Sequence, residues 1–66
     1  MRILLVEDDN RIGNNIKTML EKRGYSTDLV ALAKAAHEHI LIETYDLFLI
    51  DWKLPDGNGI DICKFI

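Results

Sequence analysis

Apolar residues in this chain fall into two patterns, short unbroken runs and spaced recurrences. Ile3-Leu4-Leu5-Val6 and Leu47-Phe48-Leu49-Ile50 are unbroken, and each leads straight into acid, at Glu7-Asp8-Asp9 and at Asp51. Runs this short, without alternation and bounded by turn residues, read as strands buried on both faces, as in parallel sheets. A first strand is predicted over Arg2–Val6 and a third over Leu47–Ile50, entered from Tyr45-Asp46. Between them, Ile12, Ile16, Met19 and Leu20 recur at helical spacing and share one face. Asp9 is the expected N-cap of that helix, Lys22 and Arg23 fall in its last turn, and Gly24 stops it. Tyr25–Val30 reads as a second strand, expected at an edge because Ser26-Thr27-Asp28 makes its pattern polar. From about Leu32 to Glu43 the period is helical again, with Ala35, Ala36, His39 and Ile40 able to share a face. Pro55 to Gly59 reads as a loop, and Ile60, Ile62, Cys63, Phe65 and Ile66 open a third helix in which the sequence ends.

Strands and helices alternating at these lengths imply βαβ crossovers and a parallel α/β sheet. Such sheets bind ligands beyond the carboxyl ends of their strands, which is where Asp51 stands. An Asp ahead of a Pro/Gly loop also serves as an Asx-type turn starter, and both readings of Asp51 are open on this stretch alone. If the first and third strands are neighbours, Glu7, Asp8 and Asp51 converge. Carboxylates brought that close repel unless a cation joins them, and an all-oxygen site of few protein ligands suits Mg²⁺. A carboxylate beside Mg²⁺ can then attack a phosphoryl group, which predicts an aspartyl phosphate. An EF-hand beginning at Asp51 fits worse, since Lys53, Pro55 and Asp56 stand where ligands and the invariant Gly are needed. No Gly-rich phosphate loop follows the first strand either, which argues against dinucleotide or P-loop binding.

With 66 residues the chain holds one small domain, and 48% apolar with 29% charged residues is an ordinary globular balance. A net charge of -3 disfavours non-specific attraction to nucleic acid or anionic membrane. No apolar run approaches the roughly 20 residues that span a bilayer, and Met1-Arg2-Ile3 does not begin a signal peptide, so the chain is expected to be cytoplasmic. The single Cys63 excludes an internal disulfide framework and reads as a reduced thiol. His37 and His39, two apart on a helix, do not share a face and read as solvated or half-packed imidazoles. Asp56 and Asp61 read as loop and helix-start acids, and Trp52 as a packing or partner-facing residue.

The acidic turn after Ile3-Leu4-Leu5-Val6, together with Leu47-Phe48-Leu49-Ile50-Asp51-Trp52-Lys53-Leu54-Pro55-Asp56-Gly57-Asn58-Gly59, resembles the receiver domain of bacterial two-component response regulators. The resemblance covers the whole chain. It implies a flavodoxin-like sheet of about three strands in the order 2-1-3 with two to three helices, residues 1–66 forming the N-terminal portion of one receiver. It also implies that Asp51 is the phosphoacceptor, receiving phosphate from a sensor histidine kinase or phosphotransfer protein, in a regulatory domain rather than an enzyme. Glu7 and Asp8 match the family's acidic pair, with Asp8 the more direct Mg²⁺ ligand, and the backbone carbonyl of Lys53 completes the protein's share of the metal shell. Pro55 and Gly59 match loop-shaping positions. Receivers are longer than this chain, and the Ser or Thr and the Lys that hold the phosphoryl oxygens in the family have no counterpart in it. Leu32-Ala33 stands where Gly is usual, and His37 where the family is apolar. Phosphorylation of this chain is therefore expected to be slow or absent. Any contact with nucleic acid would run through an output domain. A sheet ending at Leu47–Ile50 leaves an apolar edge, from which a homodimer or higher oligomer is expected.

Overall fold

In a computed structural model, which describes residues 1–51, 53–58 and 64, the elements run β1 (Arg2–Val6), α1 (Asn10–Lys22), β2 (Ser26–Val30), α2 (Ala33–Ile42) and β3 (Leu47–Ile50). Two short strands follow, β4 (Lys53–Leu54) and β5 (Gly57–Asn58). The first three strands form one parallel sheet in the order β2-β1-β3. Val6 pairs with Val30 on one side and with Ile50 on the other, so all three strands end abreast.

The strand ranges agree with the apolar pattern, except that β2 begins at Ser26 rather than Tyr25. Asp9 caps α1 as expected, its Oδ1 accepting from the N–H groups of Arg11 (3.0 Å) and Ile12 (3.1 Å). Gly24 follows the helix at φ +90°, a left-handed conformation that an L side chain rarely adopts.

Alternation sorts the sheet residues between two faces. On one face Leu4, Val6 and Val30 join Ala33 and Ala36 of α2, Tyr45 and Leu54 in a buried cluster, with Phe48, Ile50, Ala35 and Ile40 packed against it. The contact face of α2 is thus Ala33, Ala36 and Ile40, while His37 and His39 are half-buried. On the other face α1 lies close enough that a Cβ on buried Gly13 would sit 2.9 Å from Leu29 Cδ1.

Three expectations are corrected. β3 is half-buried rather than buried on both faces, with Leu47 39% exposed, because it forms an edge of the sheet. Ile12 and Met19 of the α1 apolar face are exposed, since a three-stranded sheet is too narrow to cover the whole face. The segment after Asp51 is not a plain loop: β4 and β5 pair antiparallel, Lys53 with Asn58 and Leu54 with Gly57, around a Pro55-Asp56 turn. Neither turn residue has positive φ, and Pro55 at the second turn position suits a type I turn. The third helix expected from Ile60 lies outside the described residues, apart from exposed Lys64, as do Trp52, Gly59, Asp61 and Cys63. No helix among the described residues is long and apolar enough to cross a membrane.

Toward the amino ends of the strands a polar group ties β1, β2 and the entry to β3 together. Tyr45 Oη donates to Asp28 Oδ2 at 2.7 Å, Arg2 Nη2 lies 3.1 Å from the same oxygen, and Arg2 Nη1 lies 3.0 Å from Glu43. The Arg2 guanidinium also lies 5.6 Å from the centre of the Tyr45 ring. The Tyr45 hydrogen bond, then Arg2, holds the Asp28 carboxyl below the usual carboxylate range, while burial and the bond to Asp28 push Tyr45 up to about 12.

These shifts have opposite consequences with pH. A carboxyl whose folded pKa is depressed contributes stability above its unfolded value, and loses it as pH falls through the folded one. A phenol whose folded pKa is raised contributes below about pH 10 and loses that contribution as pH rises toward 12. Asp28→Asn is therefore expected to lower stability at neutral pH, with the gap to wild type closing below about pH 4. Urea unfolding at several pH values, followed by far-UV circular dichroism, checks this. A gap that widens in acid would contradict it.

Candidate functional site

Because β1 and β3 run parallel with Val6 opposite Ile50, the next residues, Glu7 and Asp51, leave the sheet side by side. Two main-chain bonds continue the ladders past the strand ends. The Glu7 N–H donates to the Val30 carbonyl at 3.0 Å, and the Asp51 N–H donates to the Val6 carbonyl at 2.8 Å. Glu7 is thereby fixed against β2 and Asp51 against β1.

Glu7, Asp8 and Asp51 each offer a carboxylate oxygen, and these oxygens lie within 4.8 Å of one another. Glu7 and Asp51 are half-buried and Asp8 is exposed, so the cluster faces solvent on one side. Glu7 Oε1 accepts from the Asp9 N–H at 3.2 Å, which holds one acid in the turn. Asp9 itself caps α1. A cleft of about 280 Å³ adjoins the cluster, lined by apolar Leu5, Ile16, Leu49 and Ile50 together with Glu7 and Asp51.

The donor set fits Mg²⁺. It is all oxygen, supplies few protein ligands and is open to solvent at Asp8. The structure places the backbone of Lys53 in β4, two residues beyond Asp51 and paired with Asn58.

Asp56 has a role beyond the one its sequence position suggests. Read as a loop acid, it caps a helix far from it in sequence: its Oδ1 accepts from the Ala33 N–H at 2.6 Å and its Oδ2 from the Lys34 N–H at 3.0 Å. Those bonds hold its carboxyl below the usual range. Leu32, at the N-cap of α2, makes no side-chain capping bond of its own. His39 Nδ1 lies 2.8 Å from the Ala35 carbonyl one turn earlier in its own helix.

Comparison with known proteins supplies what geometry alone does not. The family model described as the response regulator receiver domain matches residues 3–66. Transcriptional regulatory protein QseB of Escherichia coli O157:H7 is 42% identical over 64 residues, covering 97% of this chain and 29% of that protein. Response regulator ArlR of Staphylococcus saprophyticus is 40% identical over 65 residues, covering 98% of this chain and 30% of that protein. Among solved structures, the non-phosphorylated HemR receiver domain from Leptospira biflexa superposes with a TM-score of 0.90 at 38% identity, over 96% of this chain and 51% of that one. The chain thus spans less than a third of the length of these two regulators.

Proposed function

The chain belongs to the response regulator receiver domain family of two-component signalling, and from that membership we propose that it accepts a phosphoryl group on Asp51. The observation that carries this reading is the meeting of the Glu7, Asp8 and Asp51 oxygens within 4.8 Å at one end of the sheet. Glu7 and Asp8 would hold Mg²⁺ together with Asp51 and the Lys53 carbonyl. When bound, the ion offsets charge on the transferred phosphoryl oxygens.

The work of the chain's own residues is positional. The bond from Asp51 N–H to Val6 holds the nucleophile at the strand end. An Asp51 oxygen attacks the phosphorus of a phosphohistidine on a sensor kinase or phosphotransfer protein. A P–O bond forms as the P–N bond breaks, and the imidazole leaves with the electron pair and takes up a proton. The product is an acyl phosphate, and the chain's role is regulatory rather than enzymatic. This reading places the chain in the cytoplasm. Any output toward nucleic acid would come from elsewhere in a longer protein.

In this chain alone the β3 edge would pair with a second copy, giving a homodimer or higher oligomer. In a longer protein the family's order 2-1-3-4-5 would instead seat a further strand, distinct from the hairpin strands β4 and β5, beside β3. Incubating the chain with Mg²⁺ and acetyl phosphate, then locating the added phosphate by mass spectrometry, tests the proposal. Slow, hydroxylamine-labile phosphate on Asp51 is expected; phosphate on any other residue would contradict it.

A further inference from the structure

We propose that Asp56 is a positioning residue for the metal site, clamping the β4–β5 hairpin, and with it the Lys53 carbonyl, to the first turn of α2. The inference rests on the reading above, because the clamp matters to function only if Glu7, Asp8 and Asp51 hold a cation. α2 starts behind Leu32, whose side chain makes no capping bond. The cap arrives from 23 residues away, as both Asp56 oxygens accept main-chain N–H groups, from Ala33 and from Lys34. A carboxylate there also meets the positive end of the helix dipole, and charged acceptors make the stronger hydrogen bonds. With both oxygens engaged on α2, Asp56 acts as a strut between the hairpin and the helix.

The rest of the hairpin is held at the same place. Leu54 is buried in the cluster that contains Ala33, and a Cβ on Gly57 would come within 3.2 Å of the Ala33 Cβ. Glycine at 57 is what lets the hairpin approach this closely. The hairpin begins two residues after Asp51, so its seat on α2 sets where the Lys53 main chain lies relative to the carboxylates. A ligand presented by main chain is only as well placed as that main chain, and groups that orient metal ligands commonly matter about tenfold or more in affinity.

The test compares wild type, Asp56→Ala, Asp56→Asn and Tyr45→Phe by MgCl₂ titration of tryptophan fluorescence, with amide exchange at Ala33 and Lys34 measured by NMR. Asp56→Ala is expected to weaken Mg²⁺ binding about tenfold and to speed exchange at both amides. Asp56→Asn, which keeps one acceptor oxygen, recovers part of the affinity. Tyr45→Phe loses a hydrogen bond toward the other end of the strands and leaves Mg²⁺ affinity unchanged, which separates positioning from general loss of stability. Equal affinity in wild type and Asp56→Ala would overturn the positioning role while leaving the metal site standing. A wild-type chain blind to Mg²⁺ would overturn the metal site itself, with amide exchange still reporting whether the clamp exists. If Asp56→Ala does not fold, Asp56→Asn carries the comparison, and an unchanged affinity there overturns the role.

Discussion

Asp51→Asn is expected to abolish the slow incorporation of phosphate from acetyl phosphate, leaving only background. Asn presents the same shape without the anionic oxygen, so the attacking group is lost while the sheet is not. The main-chain bond from residue 51 to Val6 does not involve the side chain and survives the substitution. Asp8→Asn is expected to leave the nucleophile in place but to slow incorporation at least about tenfold, through weaker Mg²⁺ binding. Radiolabel retained by Asp51→Asn would move the acceptor to another residue. Equal rates for Asp8→Asn and wild type would remove Asp8 from the metal shell.

The largest effect on stability is expected at Leu4, which is fully buried at the centre of β1 and packs in the cluster shared with α2. Leu4→Ala removes buried methyl groups and leaves a cavity, at a cost of about 2–5 kcal/mol. A domain of this size has a total stability of roughly 3–10 kcal/mol, so this single change consumes a large share of it. Leu41, 74% exposed on α2, offers the contrast, and Leu41→Ala should stay within about 0.5 kcal/mol of wild type. Urea unfolding followed at 222 nm measures both. Comparable losses at the two positions would contradict the placement of the core.

The sequence revealed most where the physical cause is local. β1 and β3 were legible because a short unbroken apolar run ending in acid has few other solutions, and both ranges agree with the structure. Asp9 and Gly24 were legible because a cap and a left-handed stop act within a few residues of themselves. The convergence of Glu7, Asp8 and Asp51 followed from two parallel strands ending in phase.

What escaped depends on distant partners. A two-residue strand has no period, so β4 and β5 left no pattern to read. The capping of α2 by Asp56 and the bond of Tyr45 to Asp28 join residues 23 and 17 apart, and neither pair carries a local signature. The amphipathic face of α1 was real, but amphipathicity says which side is apolar and not how wide a sheet covers it; hence the exposed Ile12 and Met19.

The most direct test of the central claim, that the three strand-end carboxylates form a cation-dependent phosphoacceptor site, is a Mg²⁺ titration of this chain followed by fluorescence of Trp52. Trp52 is the single tryptophan and the sequence neighbour of Asp51. A saturable change is expected in wild type, lost in Asp51→Asn and shifted to higher Mg²⁺ concentration in Asp8→Asn. A saturable change that persists unaltered in both variants would place the cation elsewhere and contradict the account.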